Sequence, residues 1–217
     1  MSALELKPNF RWHVLRYYNR FAHLYDLAEF IRRGTRRKAI QLSNWRPGEK
    51  VLDLCTGTGE LALTFASKGA EVVGADLARG MLKRAFAKSS VQNPTWVEMD
   101  ATDLPFPSKS FAVSLLSLAL HHMPETVQLR VLGELRRVTR RRIVIIEPNT
   151  PVNPRWFPLW TVIATLIDES EYMREWVRQD FSNTCHTAGL KVESSQVTTL
   201  GLHRITLCDP KTGAHGG

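Results

Sequence analysis

The amino-acid sequence predicts an α/β fold: a seven-stranded, mostly parallel sheet with an antiparallel C-terminal hairpin and an N-terminal helical lid. Three observations carry this expectation. Short apolar runs bounded by turn residues alternate with helical patterns from Val51 to Pro148, as strand–helix–strand units require. A glycine turn, Gly57-Thr58-Gly59, follows the first run and opens a helix. The last two strand-like runs are separated only by a short turn at Gly201, and a connection that short joins antiparallel neighbours.

Taken in order, Phe10 to Leu42 reads as helical, with Trp12, Leu15, Tyr18, Phe21, Ala22 and Tyr25 recurring every three or four residues. The Pro-Gly turn in "NWRPGEK" then leads into a first strand, Lys50 to Leu54, and a helix from Gly59 to Ser67 closed by Gly69. "EVVGAD" is a second strand and "RGMLKRAFAKS" its helix, while "TWVEMD" is a third, followed by the loop "ATDLPFPSKS". "FAVSLLSLAL" reads as strand four, Glu125 to Val138 as a helix, and "RIVIIEP" as strand five. After a Pro-rich connection come helical segments "LWTVIATLI" and "EYMREWVRQDFSNTCHTAG", then strands "KVESSQVTT" and "HRITLCD". The expected division is a helical lid over 1–44, an α/β core over 45–150, a helical substrate-side insertion over 151–190 and the hairpin over 191–217.

With 43% hydrophobic and 23% charged residues in 217, the chain has the composition of a globular protein with one sizeable core. Its net charge of +8 favours anionic partners. Much of the excess lies in Arg32, Arg33, Arg36, Arg37 and Lys38, and in Arg136, Arg137, Arg140, Arg141 and Arg142. Such runs read first as solvated helix faces and second as a phosphate or lipid-headgroup patch. Cys55, Cys185 and Cys208 lack metal-ligand spacing and are odd in number, which fits reduced thiols in a cytoplasmic protein and no metal site. No signal peptide is expected from "MSALELKPNFRWHV", and "WFPLWTVIATLI" is too short to span a bilayer as a helix.

"GTGELA", Gly57 to Ala62, with Asp76 at the end of strand two, fits a turn that approaches a nucleotide and an acid that binds ribose. Alone, it suits a nicotinamide dinucleotide as well as an adenosyl ligand. Asp53, just before the turn, would repel a pyrophosphate but attract a cation. Asp100, after strand three, stands where an adenine amine needs an acceptor.

With these residues in view, the chain resembles the class I S-adenosylmethionine (SAM) methyltransferases, which have a Rossmann-like sheet. The motifs are "VLDLCTGTG", "VVGADLARGML", "EMDATDLPFPSKSFAVSLLSLALHHM" and "RIVIIEP". "YYNRFAHLYDL" followed by "LDLCTGTGELAL" is most like the ubiquinone/menaquinone biosynthesis branch, with bacterial phospholipid N-methyltransferases similar in pattern. The resemblance implies that Asp53 orders the turn and faces the methionine amino end, and that Gly57, Thr58 and Gly59 line the methionyl and ribose portion. It further implies that Asp76 bonds the ribose, Leu77 and Met81 lie against adenine, Asp100 and Ala101 contact its amine edge, and Ser117 lies near the sulfonium. Departures are Cys55 where the family has its first glycine, Ala78 where a Ser often begins the helix, and "TRRRI" before strand five.

Methyl transfer to a phenol or carbon acid requires loss of a proton, for which histidine is suited. His121 and His122, after strand four, are the first candidates, although either could simply cap the turn; Tyr18 and Tyr25 on the first helix are the others. The acceptor expected is small or lipid-like, a quinone-precursor-like carbon or phenol, with phosphatidylethanolamine nitrogen as the alternative. Peripheral contact with an anionic membrane follows from the basic runs. Nucleic acid is not expected, because the aromatics cluster on a helix rather than on a strand platform. A nicotinamide-dependent oxidoreductase or a noncatalytic nucleotide-binding module is the reading from a different class. No oligomeric state follows from the sequence.

Overall fold

The computed structural model describes residues 29–89, 94–149, 172–198 and 201–211. A seven-stranded sheet runs in the order β3-β2-β1-β4-β5-β7-β6. Strands β1 (Lys50–Leu54), β2 (Glu71–Asp76), β3 (Thr95–Glu98), β4 (Phe111–Ser117) and β5 (Thr139–Pro148) are parallel. The hairpin of β6 (Lys191–Thr198) and β7 (His203–Asp209) joins through β7, which lies antiparallel to β5 with His203 opposite Pro148. The expected fold class and strand count are both found.

The central strands are near-continuous apolar runs because helices cover both faces of the sheet. On one face, Ala39 and Ile40 of α1 (Glu29–Ser43) and Leu61, Ala62 and Phe65 of α2 (Glu60–Ala66) pack with Val51, Val113 and Val144. Residues of α3 (Arg79–Lys88), notably Met81 and Ala85, are buried beside β2 and β3. On the other face, Val127, Val131 and Leu135 recur every four residues on α4 (Glu125–Val138), a helical stripe set against Leu52, Leu116 and Ile143. Trp176 of α5 (Tyr172–Arg178) and Cys185 of α6 (Phe181–Thr187) complete that layer. The three cysteines are free thiols.

Four expectations are corrected. Strand four stops at Ser117, because Leu118 adopts φ 54°, a left-handed conformation that breaks the pleat. Strand five begins at Thr139, whose hydroxyl is 2.6 Å from that of Ser114 in the core. The helix read over 171–189 is two, since Asp180 accepts from the Asn183 amide and caps α6. The second basic run divides, with Arg136 and Arg140 exposed as expected and Arg137, Arg141 and Arg142 bonded to the chain itself. Arg141 donates to Asn44 O and Glu49, Arg142 to Leu42 O and Glu193, and these bonds tie the end of α1 to β5 and β6. Arg137 forks onto Glu134 and donates to the carbonyls of Leu104 and Phe106, fixing the loop before β4.

Of the lid expected over 1–44, residues 1–28 with Tyr18 and Tyr25 lie outside the described residues, as does the apolar run Trp156 to Ile167. The later turns of α1 form a packed layer against β5 and β7. Among the described residues no helix is long and apolar enough to cross a membrane.

Trp96 of β3 explains two glycines. A Cβ on Gly59 would lie 2.4 Å from its indole and 2.8 Å from Ala85 Cβ, and one on Gly74 would lie 2.3 Å from the same ring. Gly59 also has φ 84°. Gly59→Ala is therefore expected to lower stability by about 3 kcal/mol, from overpacking together with a strained φ. Gly57→Ala, with φ 57° but open space around its Cβ, should cost about 1 kcal/mol. Urea denaturation of the two variants checks the difference.

Candidate active site

The carboxyl ends of β1, β2, β4 and β5 border one cavity, where an open parallel sheet places its ligands. Asp53, Cys55, Gly57, Thr58, Asp76, Leu77, Met81, Asp100, Ala101 and Ser117 all line it. Gly59, expected there too, does not: it is the left-handed residue before α2, and its open side is filled by Trp96. The glycine pair thus divides its work, Gly57 facing the cavity and Gly59 allowing helix-to-strand packing.

The acidic end of the cavity is built by hydrogen bonds between turns. Asp53, 1% exposed, points from β1 toward the start of α2. Its Oδ2 accepts from Thr56 Oγ1 at 2.5 Å and from the Ala62 amide at 3.1 Å. Burial pushes its pKa up to about 6 against those two bonds. Asp76 joins neighbouring turns, Oδ2 accepting from Gly57 N and Oδ1 from Ala78 N, each at 2.8 Å. Burial raises its pKa also, with the backbone bonds opposing. The Ala78 amide is thereby satisfied by Asp76, while no side chain caps the start of α3. Asp100 Oδ1 accepts from both the amide and the hydroxyl of Thr102. Cys55 occupies the left-handed position at φ 56°, and burial holds its thiol well above the ordinary range.

After β4 the two histidines separate. His122 lines the cavity beside Met123, Val127 and Val131. His121 is 5% exposed and does not border the cavity; its Nδ1 lies 2.5 Å from Glu147 Oε2. Of the two histidines expected near the acceptor, His121 is thus held within the core and His122 alone borders the cavity. The rings lie 3.9 Å apart, so His121 forms a wall for His122. Glu147, at the end of β5, also accepts from Ala119 N and Leu120 N through Oε1. Burial lifts its pKa to about 7, opposed by those backbone bonds and by His122. Gln128 of α4 supports the same turn by donating to Leu120 O and Met123 O.

Comparison with known proteins gives the family and the fold. Residues 51–142 match the Methyltransferase domain family. The chain is 32% identical over 202 residues to a demethylmenaquinone methyltransferase of Paenarthrobacter aurescens, covering 82% of this chain and 77% of that protein. The chain belongs to the class I SAM-dependent methyltransferases. A 2-phytyl-1,4-naphtoquinone methyltransferase of Synechococcus elongatus is 34% identical over 152 residues, covering 63% of this chain and 64% of that protein. In fold, the methyltransferase is similar to the magnesium protoporphyrin IX methyltransferase of Synechocystis PCC 6803, solved with bound SAM. The TM-score is 0.68 at 18% identity, covering 96% of this chain and 99% of that one.

Sequence patterns did not disclose every residue that borders the methyltransferase cavity. Arg32, Thr35 and Arg36 reach it from α1, Thr56 from the glycine turn and His203 from β7. Burial lowers the pKa of Arg36, while Glu60 and Asp53 counteract the shift. Glu147 had one visible signal, a single acid ending the apolar run "IVIIEP".

The raised pKa of Asp53 gives a pH prediction. The folded state binds its proton more tightly than the unfolded chain, whose carboxyl titrates near 3.9. The stabilisation from that tighter proton binding is fully present below about pH 4 and is lost as pH rises through about 6. Asp53→Asn, uncharged throughout, should therefore stabilise the ligand-free methyltransferase at pH 7.5 by about 3 kcal/mol and by little below pH 4. Urea midpoints at the two pH values measure the effect.

Proposed function

We propose that the methyltransferase transfers a methyl group from SAM to an apolar, ring-bearing acceptor, a quinol-like carbon acid or phenol. One observation carries this reading: the cavity is acidic where it borders β1 and β2, and beyond β4 it is apolar, with His122 set among Leu118, Met123, Val127 and Val131. The names of the relatives, which methylate demethylmenaquinone and a phytyl naphthoquinone, support the same class.

The residues fit SAM. Asp53 brings negative charge to the turn, which favours the positively charged methionyl end. Asp76 keeps acceptor capacity on both oxygens beyond its two amide bonds, as a ribose diol requires. Leu77 and Met81 provide the apolar side for adenine, Asp100 and Ala101 its polar edge, and Gly57, Thr58 and Ser117 the approach to the methionyl part. Bound SAM supplies an activated methyl group on a sulfonium. The protein's part is to align the acceptor and exclude water, since alignment supplies much of the rate in a displacement. His122 receives the acceptor proton, and His121, pinned by Glu147, holds its ring in place. A lipid-like acceptor brings with it peripheral contact with an anionic membrane, toward which Arg33, Arg37 and Lys38 lie exposed on α1.

Calorimetry with SAM, S-adenosylhomocysteine and NAD, followed by an acceptor screen with quinols and phosphatidylethanolamine, tests this function. Binding of the two adenosyl ligands and turnover of a quinol are expected; binding of NAD alone, or turnover of phosphatidylethanolamine alone, refutes it. His122→Ala should lower kcat by about 10²- to 10⁴-fold, the usual contribution of a proton-transfer group, with SAM affinity unchanged. His121→Ala should instead destabilise the fold by about 1–3 kcal/mol, because Glu147 loses a buried partner. Sedimentation with anionic vesicles at low salt should retain the protein, and failure to bind would remove the membrane contact.

A further inference from the structure

His203 borders the cavity from the strand farthest in sequence from the glycine turn, and the sequence motifs do not include it. It opens β7, opposite Pro148 of β5. In the strand order, β7 lies two positions beyond β4, away from the acidic end at β1 and β2. Two strand spacings amount to roughly 10 Å. The cavity therefore has an imidazole after β4 and another at the β7 side.

Three hydrogen-bond contacts link His203 to Thr35 and Thr198. Thr198 Oγ1 is 3.4 Å from His203 O, and a carbonyl only accepts, so in that bond the Thr198 hydroxyl donates. Thr198 Oγ1 is also 3.2 Å from Thr35 Oγ1, and with its one proton directed to the carbonyl it must accept from Thr35. Thr35 Oγ1 is 3.3 Å from His203 Nδ1, and when its proton goes to Thr198 it accepts there. All three bonds form together in one proton order only: His203 Nδ1–H to Thr35, Thr35 to Thr198, Thr198 to His203 O. In the neutral ring Nδ1 then carries the hydrogen and Nε2 carries the lone pair.

We propose that His203 is a specificity residue whose unprotonated Nε2 accepts a hydrogen bond from a hydroxyl of the acceptor at the end of the ring away from His122. This rests on the acceptor class proposed above. An acceptor with oxygens on opposite sides of a ring needs a partner at each end, and His122 and His203 border the cavity from different elements. The surroundings of the imidazole favour its neutral form. Burial and then Arg32 of α1 hold its pKa below the ordinary value, while Glu147 of β5 pulls the other way. The near side would be held by His122 and the far side by His203, so a para-diol is preferred to a compound with a single hydroxyl.

The first test is nitrogen-15 NMR of the imidazole rings of the full-length protein at pH 7.5, with the His203 signal assigned by its loss in His203→Asn. The Nδ1–H tautomer is expected, and the Nε2–H tautomer overturns the inference. The second uses the same variant, whose amide nitrogen can replace Nδ1 as donor to Thr35 while Nε2 is removed. Its melting temperature and SAM affinity should match wild type. Its kcat/KM should fall about 10- to 100-fold more for a para-hydroquinol than for the single-hydroxyl analogue. An equal loss on both compounds, or no loss, overturns the inference. If His203→Asn does not fold, Thr35→Val, which releases the ring from its donor bond, should produce a mixture of tautomers; an unchanged ring overturns the proton order. Wild-type protein that binds SAM but turns over neither compound refutes the acceptor class itself and the inference with it, a failure seen before any substitution is made.

Discussion

Carboxylates carried into a low-dielectric interior are costly unless hydrogen-bonded, and this fold places them where loops leave the strands. Asp53 holds the start of α2 to β1 through Thr56 and Ala62. Asp76 reaches from β2 to the amide of Gly57 in the adjacent turn. Glu147, from β5, holds two amides of the turn after β4. Each acid draws backbone amides toward itself, so the cavity walls are set by the need to satisfy buried charge. The price of that arrangement appears in the raised pKa values of all three groups.

The succession of strands and helices and the acidic end of the cavity were largely legible in the sequence because their signals are local. Apolar runs and intervening helical stripes mark the parallel strands, and Asp53, Gly57 and Asp76 lie within one short strand–helix–strand unit. The roles of Gly59 and His121 were not legible. Gly59 is required by Trp96, a residue on another strand, and His121 is captured by Glu147, 26 positions away. His203 meets Thr35 across 168 positions, with no periodicity to announce the pair. Local pattern defines elements, whereas the direction in which a side chain is held depends on partners that only the folded chain brings near.

The basic residues show the same distinction. Net charge describes the chain as a whole, but guanidinium groups can be drawn inward by carbonyls. Arg137, Arg141 and Arg142 serve helix ends and loops, each donating to at least one backbone oxygen. Arg33 and Arg37 on α1 are exposed, and Arg32 and Arg36 from the same helix border the cavity. One amphipathic helix thus offers cations both to solvent and to the ligand site.

The position of β7 also bears on how the protein is made. The acidic end of the cavity comes from residues 53–101, whereas its other end is closed by His203 together with α1. As the chain leaves the ribosome, the strands β1 to β5 emerge before the hairpin that must dock beside β5. Until then the outer side of β5 has unpaired backbone groups, a template for mispairing. Synthesis thus makes the nucleotide-like half of the cavity available first, and its acceptor half waits for the final strand.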